Sequence, residues 1–219
     1  LEFASPDLDP EEFLQYEICA KHRSKACEGQ VAFYHTQIRD FIDRVPTGNT
    51  VSGSREVMKK NTGNGFIQGA ELSGSARLDE EWSLFGAAGW QIGAVDSFET
   101  SFPDSKQRLP MSKMAPATGT VGTRWTEPAD RKALWIEGLA TFTRQQHRLS
   151  PADKLDSQRI PPDGTPGWSV FTLRAGRRLT ERLTVTTAVE NLTDADYRTH
   201  GSGTNESGLN FTLGLEARY

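Results

Sequence analysis

The feature that most limits how this chain can fold is a period-two alternation of apolar and polar residues, sustained over long runs. At the C-terminal end Leu209, Phe211, Leu213, Leu215, Ala217 and Tyr219 alternate with Asn210, Thr212, Gly214, Glu216 and Arg218. Successive side chains of a β-strand point to opposite faces, so this run predicts a strand with one apolar and one polar face. The pattern recurs at Leu14–Ala20, Val31–Ile42, Phe66–Leu78, Trp82–Ile92, Val121–Trp125, Leu134–Phe142, Val170–Gly176 and Leu183–Glu190. Several strands reach about 10–13 residues, whereas an ordinary strand averages about 5–6. A tilted strand that crosses a bilayer needs about 9–11. The fold expected is all-β: an antiparallel up-and-down meander of about nine long strands, in one domain over residues 1–219.

The connections alternate in length. Short turns are expected after Arg23, at Asp79-Glu80-Glu81, at Glu127-Pro128-Ala129-Asp130 and around Thr180-Glu181-Arg182. Long loops rich in Gly, Pro, Ser, Asp and Thr are expected at Asp43–Asn64, Asp96–Ala115, His147–Gly167 and Thr193–Gly208. A compact water-soluble domain rarely carries four such loops, whereas outer-membrane barrels have short turns on one side and long loops on the other. Trp82, Trp90, Trp125, Trp168, Tyr197 and Tyr219 lie at or near strand ends, where interfacial aromatic girdles sit.

Composition decides less. No run of about 18 apolar residues is present, which excludes helical membrane spans. Half of every barrel strand is polar, so a mean hydropathy of -0.57 suits a membrane barrel or a soluble protein. The net charge of -4 and scattered basic residues give no nucleic-acid footprint. A soluble β-sandwich that binds carbohydrate or another ligand is the competing reading; its apolar faces would meet in one core.

Catalytic and metal-binding patterns are missing from the sequence. There is no Gly-x-Ser-x-Gly elbow, and His22, His35, His147 and His200 are far apart with no metal-ligand spacing. Neither an enzyme nor a cofactor is expected. Cys19 and Cys27 are eight residues apart and could face each other across a hairpin; a disulfide and two free thiols both remain open. Glu137, Arg174 and Glu190 fall on the polar side of their strands, as groups solvating a wet interior would.

Several phrases then become recognisable. Glu190-Asn191-Leu192-Thr193-Asp194-Ala195-Asp196-Tyr197-Arg198 resembles the signature near the C-terminal end of TonB-dependent outer-membrane receptors. Thr165-Pro166-Gly167-Trp168, Asn64-Gly65-Phe66 with Gly69-Ala70-Glu71, and Leu8-Asp9-Pro10-Glu11 with Tyr16-Glu17 resemble other strands of that family, in the family's order. Ile18-Cys19-Ala20 departs from the small or glycine-containing run usual there.

The resemblance implies a C-terminal part of a 22-stranded plugged barrel, whose plug, TonB-contacting segment and N-terminal strands are not in this sequence. It implies residence in the outer membrane of a Gram-negative bacterium and import of a scarce nutrient. A ferric siderophore is the first expectation, with cobalamin, haem or a glycan as others. Partners implied are outer-membrane lipid, the TonB complex through the absent plug region, the barrel-assembly machinery and the nutrient itself. The assembly signal would be Phe211, Leu213, Leu215 and Tyr219. The residues expected to touch ligand are Arg198 and His200, in the last long loop.

Overall fold

The computed structural model describes residues 2–98, 106–128 and 134–219. Its strands are β1 (Glu2–Phe3), β2 (Glu12–Arg23), β3 (Cys27–Val51), β4 (Ser54–Arg77), β5 (Trp82–Phe98), β6 (Lys106–Pro110), β7 (Thr118–Thr126), β8 (Leu134–Thr143), β9 (Trp168–Arg178), β10 (Leu183–Glu190) and β11 (Asn210–Ala217), with one helix, α1 (Pro151–Leu155). Nine strands form a continuous antiparallel path, β2-β3-β4-β5-β7-β8-β9-β10-β11, and β1 and β6 add to β4 and β5. The meander is therefore the one the alternation implies. The path does not close, because β2 and β11 each have one neighbour.

Register carries one face around the whole sheet. Leu213 pairs with Thr187, Leu173 with Gly138, Ile136 with Trp125, Trp125 with Trp82, Ala88 with Leu72, and Phe33 with Ile18. Large apolar side chains on this face stay uncovered: Ile18, Phe33, Leu72, Val121, Phe171 and Leu213 are 46–73% exposed. The buried apolar side chains lie elsewhere, at the long-loop end, and include Ile38, Val45, Val95, Leu109, Leu149 and Ile160. A single sheet with an uncovered apolar face overturns the sandwich alternative, which needs a second sheet packed on that face.

The opposite face is polar and hollowed. A cavity of about 1230 Å³ on it is lined from the β2–β3 turn at Ser24 across to Glu137 on β8. The sheet can bend because aromatic rings lie across glycines on the next strand. Tyr34 faces Gly69, Phe85 faces Gly122, Phe142 faces Gly119 and Trp135 faces Gly176 in register. A Cβ at Gly176 would stand 2.4 Å from the Trp135 ring. The ring thus occupies the space that the missing side chain leaves.

Three short turns share one device, a side-chain oxygen that accepts the amide three residues on. Cys27 N–H donates to Ser24 Oγ (3.0 Å), Trp82 N–H to Asp79 Oδ1 (2.7 Å) and Leu183 N–H to Thr180 Oγ1 (3.0 Å). The turn expected at Glu127-Pro128-Ala129-Asp130 lies partly outside the described residues.

Two expectations need correction. Asp43–Asn64 is no loop: β3 and β4 continue through it as a long hairpin, closed by Ser52 (φ 51°) and Gly53 (φ 78°) between the paired Val51 and Ser54. Two central residues at positive φ make the type I′ turn whose twist suits paired strands. Within Asp96–Ala115, β5 runs on to Phe98 and β6 pairs back on it, Val95 with Leu109. The disulfide is excluded by register. Cys19 pairs with Ala32, on the polar face, and Cys27 with Ala76, on the apolar face, and both thiols are free. They lie about 16 Å apart along the hairpin, far beyond disulfide reach.

Replacing Gly176 by Val should destabilise the barrel by about 1–3 kcal/mol, the cost of overpacking. The same change in a Trp135→Ala background should cost distinctly less, because the competing ring is gone. Urea unfolding of the full-length protein in detergent micelles reads both; equal costs would show that the ring and the glycine are not coupled.

Candidate functional site

On the polar face, charged side chains of adjacent strands form a chain across the sheet. Register sets Arg124 of β7 opposite Glu137 of β8, and Glu137 opposite Arg174 of β9. Arg124 Nε lies 3.2 Å from Glu137 Oε2, Arg174 Nη1 3.8 Å from Glu137 Oε1, and Arg174 Nη2 4.0 Å from Glu190 Oε1. Asn210 Nδ2 of β11 then donates to Glu190 Oε2 (3.1 Å). Glu137 is the buried member, at 9% exposure, which explains why it needs two cationic neighbours. Arg124 also stacks over Trp135, 4.2 Å from the ring centre. Glu137, Arg174 and Glu190 thus share the face expected of them. Arg124 and Asn210 were not foreseen as members, since only register reveals who stands beside whom.

At the long-loop end the loops fasten to one another. Asp153 caps α1 reciprocally with Ser150: Asp153 N–H donates to Ser150 Oγ (3.1 Å) and Ser150 N–H to Asp153 Oδ2 (3.0 Å). The same carboxylate accepts Lys113 N–H (3.1 Å), so it ties the segment after β6 to the loop after β8. Gln146 Nε2 donates to Met114 O (2.6 Å) between the same two segments.

The last loop is organised by the residues of the signature phrase. Asn191 is 3% exposed with φ 52°. It accepts Ala195 N–H at Oδ1 (2.9 Å) and donates from Nδ2 to Ala195 O (2.8 Å) and Ser207 O (3.2 Å). Asp194 Oδ1 accepts Leu209 N–H (2.8 Å), again joining the two ends of the loop. Tyr197 packs against Trp168 with its ring tilted by 45° and the centroids 4.4 Å apart. Burial raises the Tyr197 phenol above its ordinary value, with Glu206 and Glu190 adding to the effect.

Arg198 and His200 do not converge on one point. Arg198 Nε donates to Asn205 Oδ1 (2.9 Å) within its own loop. His200 Nδ1 hydrogen-bonds Thr165 Oγ1 (2.8 Å) in the neighbouring loop, while its Nε2 is buried without a partner. Burial pushes the imidazole below the ordinary histidine range, and the Asp153 carboxylate opposes that shift without cancelling it.

A membrane-length strand set, one apolar face and a wet, charged opposite face make a segment of barrel wall. The chain matches the family model described as "TonB dependent receptor-like, beta-barrel" over residues 2–192. The chain belongs to this family of TonB-dependent receptor barrels. No curated protein sequence matches it. Among solved structures the receptor barrel is similar to the copper transporter OprC, with TM-score 0.75, 18% identity, and 97% of this chain and 32% of that one covered. It is similar to the FrpB iron transporter from Neisseria meningitidis (F5-1 variant), at TM-score 0.72 and 14% identity over 99% of this chain and 33% of that one. It is also similar to the pyoverdine outer membrane receptor FpvA from Pseudomonas aeruginosa PAO1 bound to pyoverdine, at TM-score 0.65 and 15% identity over 97% and 30%. The receptor barrel segment spans about a third of the length of these structures, and the likeness is one of fold.

The His200 contact between the two loops should weaken in acid. Its folded pKa lies below its unfolded one, so the unfolded loop takes up the proton first. The contribution is whole above the ordinary histidine value of about 6.5 and is lost as pH falls through the folded value. Amide exchange of residues 196–203 at pH 7.5 and pH 5 should show less protection in acid for the parent protein. A His200→Gln variant should show a much smaller change, and an undiminished acid effect there would assign it to another group.

Proposed function

We propose that this chain forms part of the wall of an outer-membrane receptor that imports a scarce nutrient, a ferric siderophore first among the candidates. The observation that carries the reading is the uncovered apolar belt on one face of strands long enough to span a bilayer. Aromatic residues bound that belt: Trp82 and Trp125 are paired at the short-turn end, and Trp90 stands eight residues further along β5. That is about 27 Å of strand, or about 21 Å across a membrane at 40° tilt, near the roughly 25 Å apolar band of such barrels. The short turns would lie in the periplasm and the long loops outside.

The cargo class draws on structures named for copper, iron and pyoverdine, and on an external loop end rich in polar side chains. Cobalamin, haem or a glycan would suit the same architecture. Arg198 and His200 are the residues of this chain proposed to face the ligand, from the loop they share. The charged chain from Arg124 to Asn210 would keep the interior wet and rigid. Energy would come from the TonB complex through a plug that other parts of the receptor supply. The barrel-assembly machinery would read Phe211, Leu213 and Leu215 on the last strand and Tyr219 just past its end, and outer-membrane lipid would cover the belt.

The two faces can be told apart by neighbouring residues of one strand. In the full-length receptor Val31→Arg on the apolar face should destabilise the barrel by about 2–4 kcal/mol, as for a charge at the bilayer midplane. Gln30→Arg, one residue away on the polar face, should leave urea unfolding in lipid vesicles nearly unchanged. Equal sensitivity at both positions would sink the membrane reading. Deleting Tyr219 from the full-length receptor should abolish heat-modifiable, membrane-inserted protein, and normal insertion would refute its part in assembly.

A further inference from the structure

The wall has a notch at its long-loop end. β7 stops at Thr118, whose partner on β5 is Gly89, yet β5 runs on past it. On the other side β8 ends at Thr143, but its ladder continues: Arg144 N–H donates to Ala117 O (2.8 Å), and Gln146 bridges to Thr165 in the register of the strand. The segment after β6 plugs the gap only in part, through Met111 N–H to Gly93 O (3.1 Å) and Gln146 Nε2 to Met114 O (2.6 Å). A cavity of about 130 Å³ is left, lined by Trp90, Ile92, Met114, Arg144, His147 and Arg148.

Position gives this cavity a chemistry. Gly119 pairs with both Ala88 and Phe142, so one step further Ala117 lies between Trp90 and Arg144. By strand parity Arg144 follows Phe142 on the apolar face, level with the interfacial Trp90. Arg144 and Arg148 are exposed, and neither makes an ion pair among the described residues. Two guanidinium groups without an ion-pair partner among the described residues therefore stand at the outer edge of the apolar band and past it, where lipid phosphates lie, next to Trp90 and Ile92. The guanidinium fork matches phosphate oxygens bidentately.

We propose that this notch binds the phosphate-bearing headgroup of an outer-leaflet lipid, with Arg144 and Arg148 on the phosphate and Trp90 against the first acyl carbons. The proposal rests on the membrane orientation given above. Charge complementarity favours a phosphorylated lipid over a neutral one, and the Trp90 ring favours a lipid over a soluble anion.

The test is native mass spectrometry of the full-length receptor in detergent, with diphosphorylated lipid A, dephosphorylated lipid A or inorganic phosphate added. Lipid A should be retained. Arg144→Gln or Arg148→Gln should each weaken retention about fivefold, and the double variant about thirtyfold. Lys25→Gln, on the opposite short turn, should change nothing. Heat-modifiability of every variant is scored alongside, to show that the barrel has formed. Equal retention of dephosphorylated lipid A, an unchanged double variant, or displacement of lipid A by millimolar inorganic phosphate would each overturn the lipid site while leaving the receptor reading intact. A parent receptor that does not insert in membranes would overturn both.

Discussion

Backbone pairing within a single sheet whose apolar face is uncovered governs the rest of this structure. Bilayer cores offer no water to an unpaired N–H or C=O, so each such group costs several kcal/mol. The ladders of the membrane-length region meet that demand: β2–β3, β4–β5, β5–β7, β7–β8, β8–β9, β9–β10 and β10–β11 all run without a register shift. The shifts that do occur lie between β3 and β4 beyond Ile38, in the part of the long hairpin that outruns a bilayer. Irregular backbone is thus placed where water can reach it. The two edges, β2 and β11, follow the same logic. Each presents unpaired groups of the kind that pairing with further strands satisfies when a sheet closes into a barrel.

Pairing also dictates where a core can form. With an uncovered apolar face on one side and a polar, hollowed face on the other, the middle of the sheet has no interior to bury side chains in. Buried apolar residues therefore gather at the long-loop end, where β6, α1 and the loops around Leu149 and Ile160 fold against the distal strands. In the middle, packing is done within the sheet by rings on glycines. Phe85 on Gly122, Trp135 on Gly176 and Tyr34 on Gly69 fill the polar face with flat side chains that leave the strands free to bend.

The alternation at Leu209–Tyr219 and its eight counterparts made the strands, their faces and the order of the meander readable from sequence, because period two is a property of each strand alone. The distal β3–β4 hairpin was hidden for the opposite reason. Its residues, such as Thr47, Gly48, Asn49 and Thr50, have loop-like composition, and only the Ser52-Gly53 pair carries the turn signal. Cys19 and Cys27 show the limit of spacing arguments: a distance of eight in sequence left a bridge open, and one strand register put the thiols on opposite faces. The same holds for the charged chain. Glu137 and Arg174 could be assigned a face from parity, but Arg124 became their neighbour only through the pairing of β7 with β8. Likewise, Arg198 and His200 share a loop but fasten to different partners, which sequence proximity could not disclose.

The family's most recognisable phrase in this chain acts mainly as architecture. Asn191, buried and in the left-handed region, bonds residues at both ends of the last loop, and Asp194 holds the amide of Leu209 where β11 begins. The loop's start and finish are thereby fixed to each other whatever lies between. Arg198 to Gly203 extend from that clasp toward the neighbouring loop, where His200 meets Thr165 and the Arg159 side chain approaches Gly203. A clasp at the neck lets the tip change its contacts without disturbing the register of the last strand. The contacts of the loop's tip and the start of the last strand can then be tuned by different residues of a single loop, and a change at Asn191 would disturb both because it sits where they join.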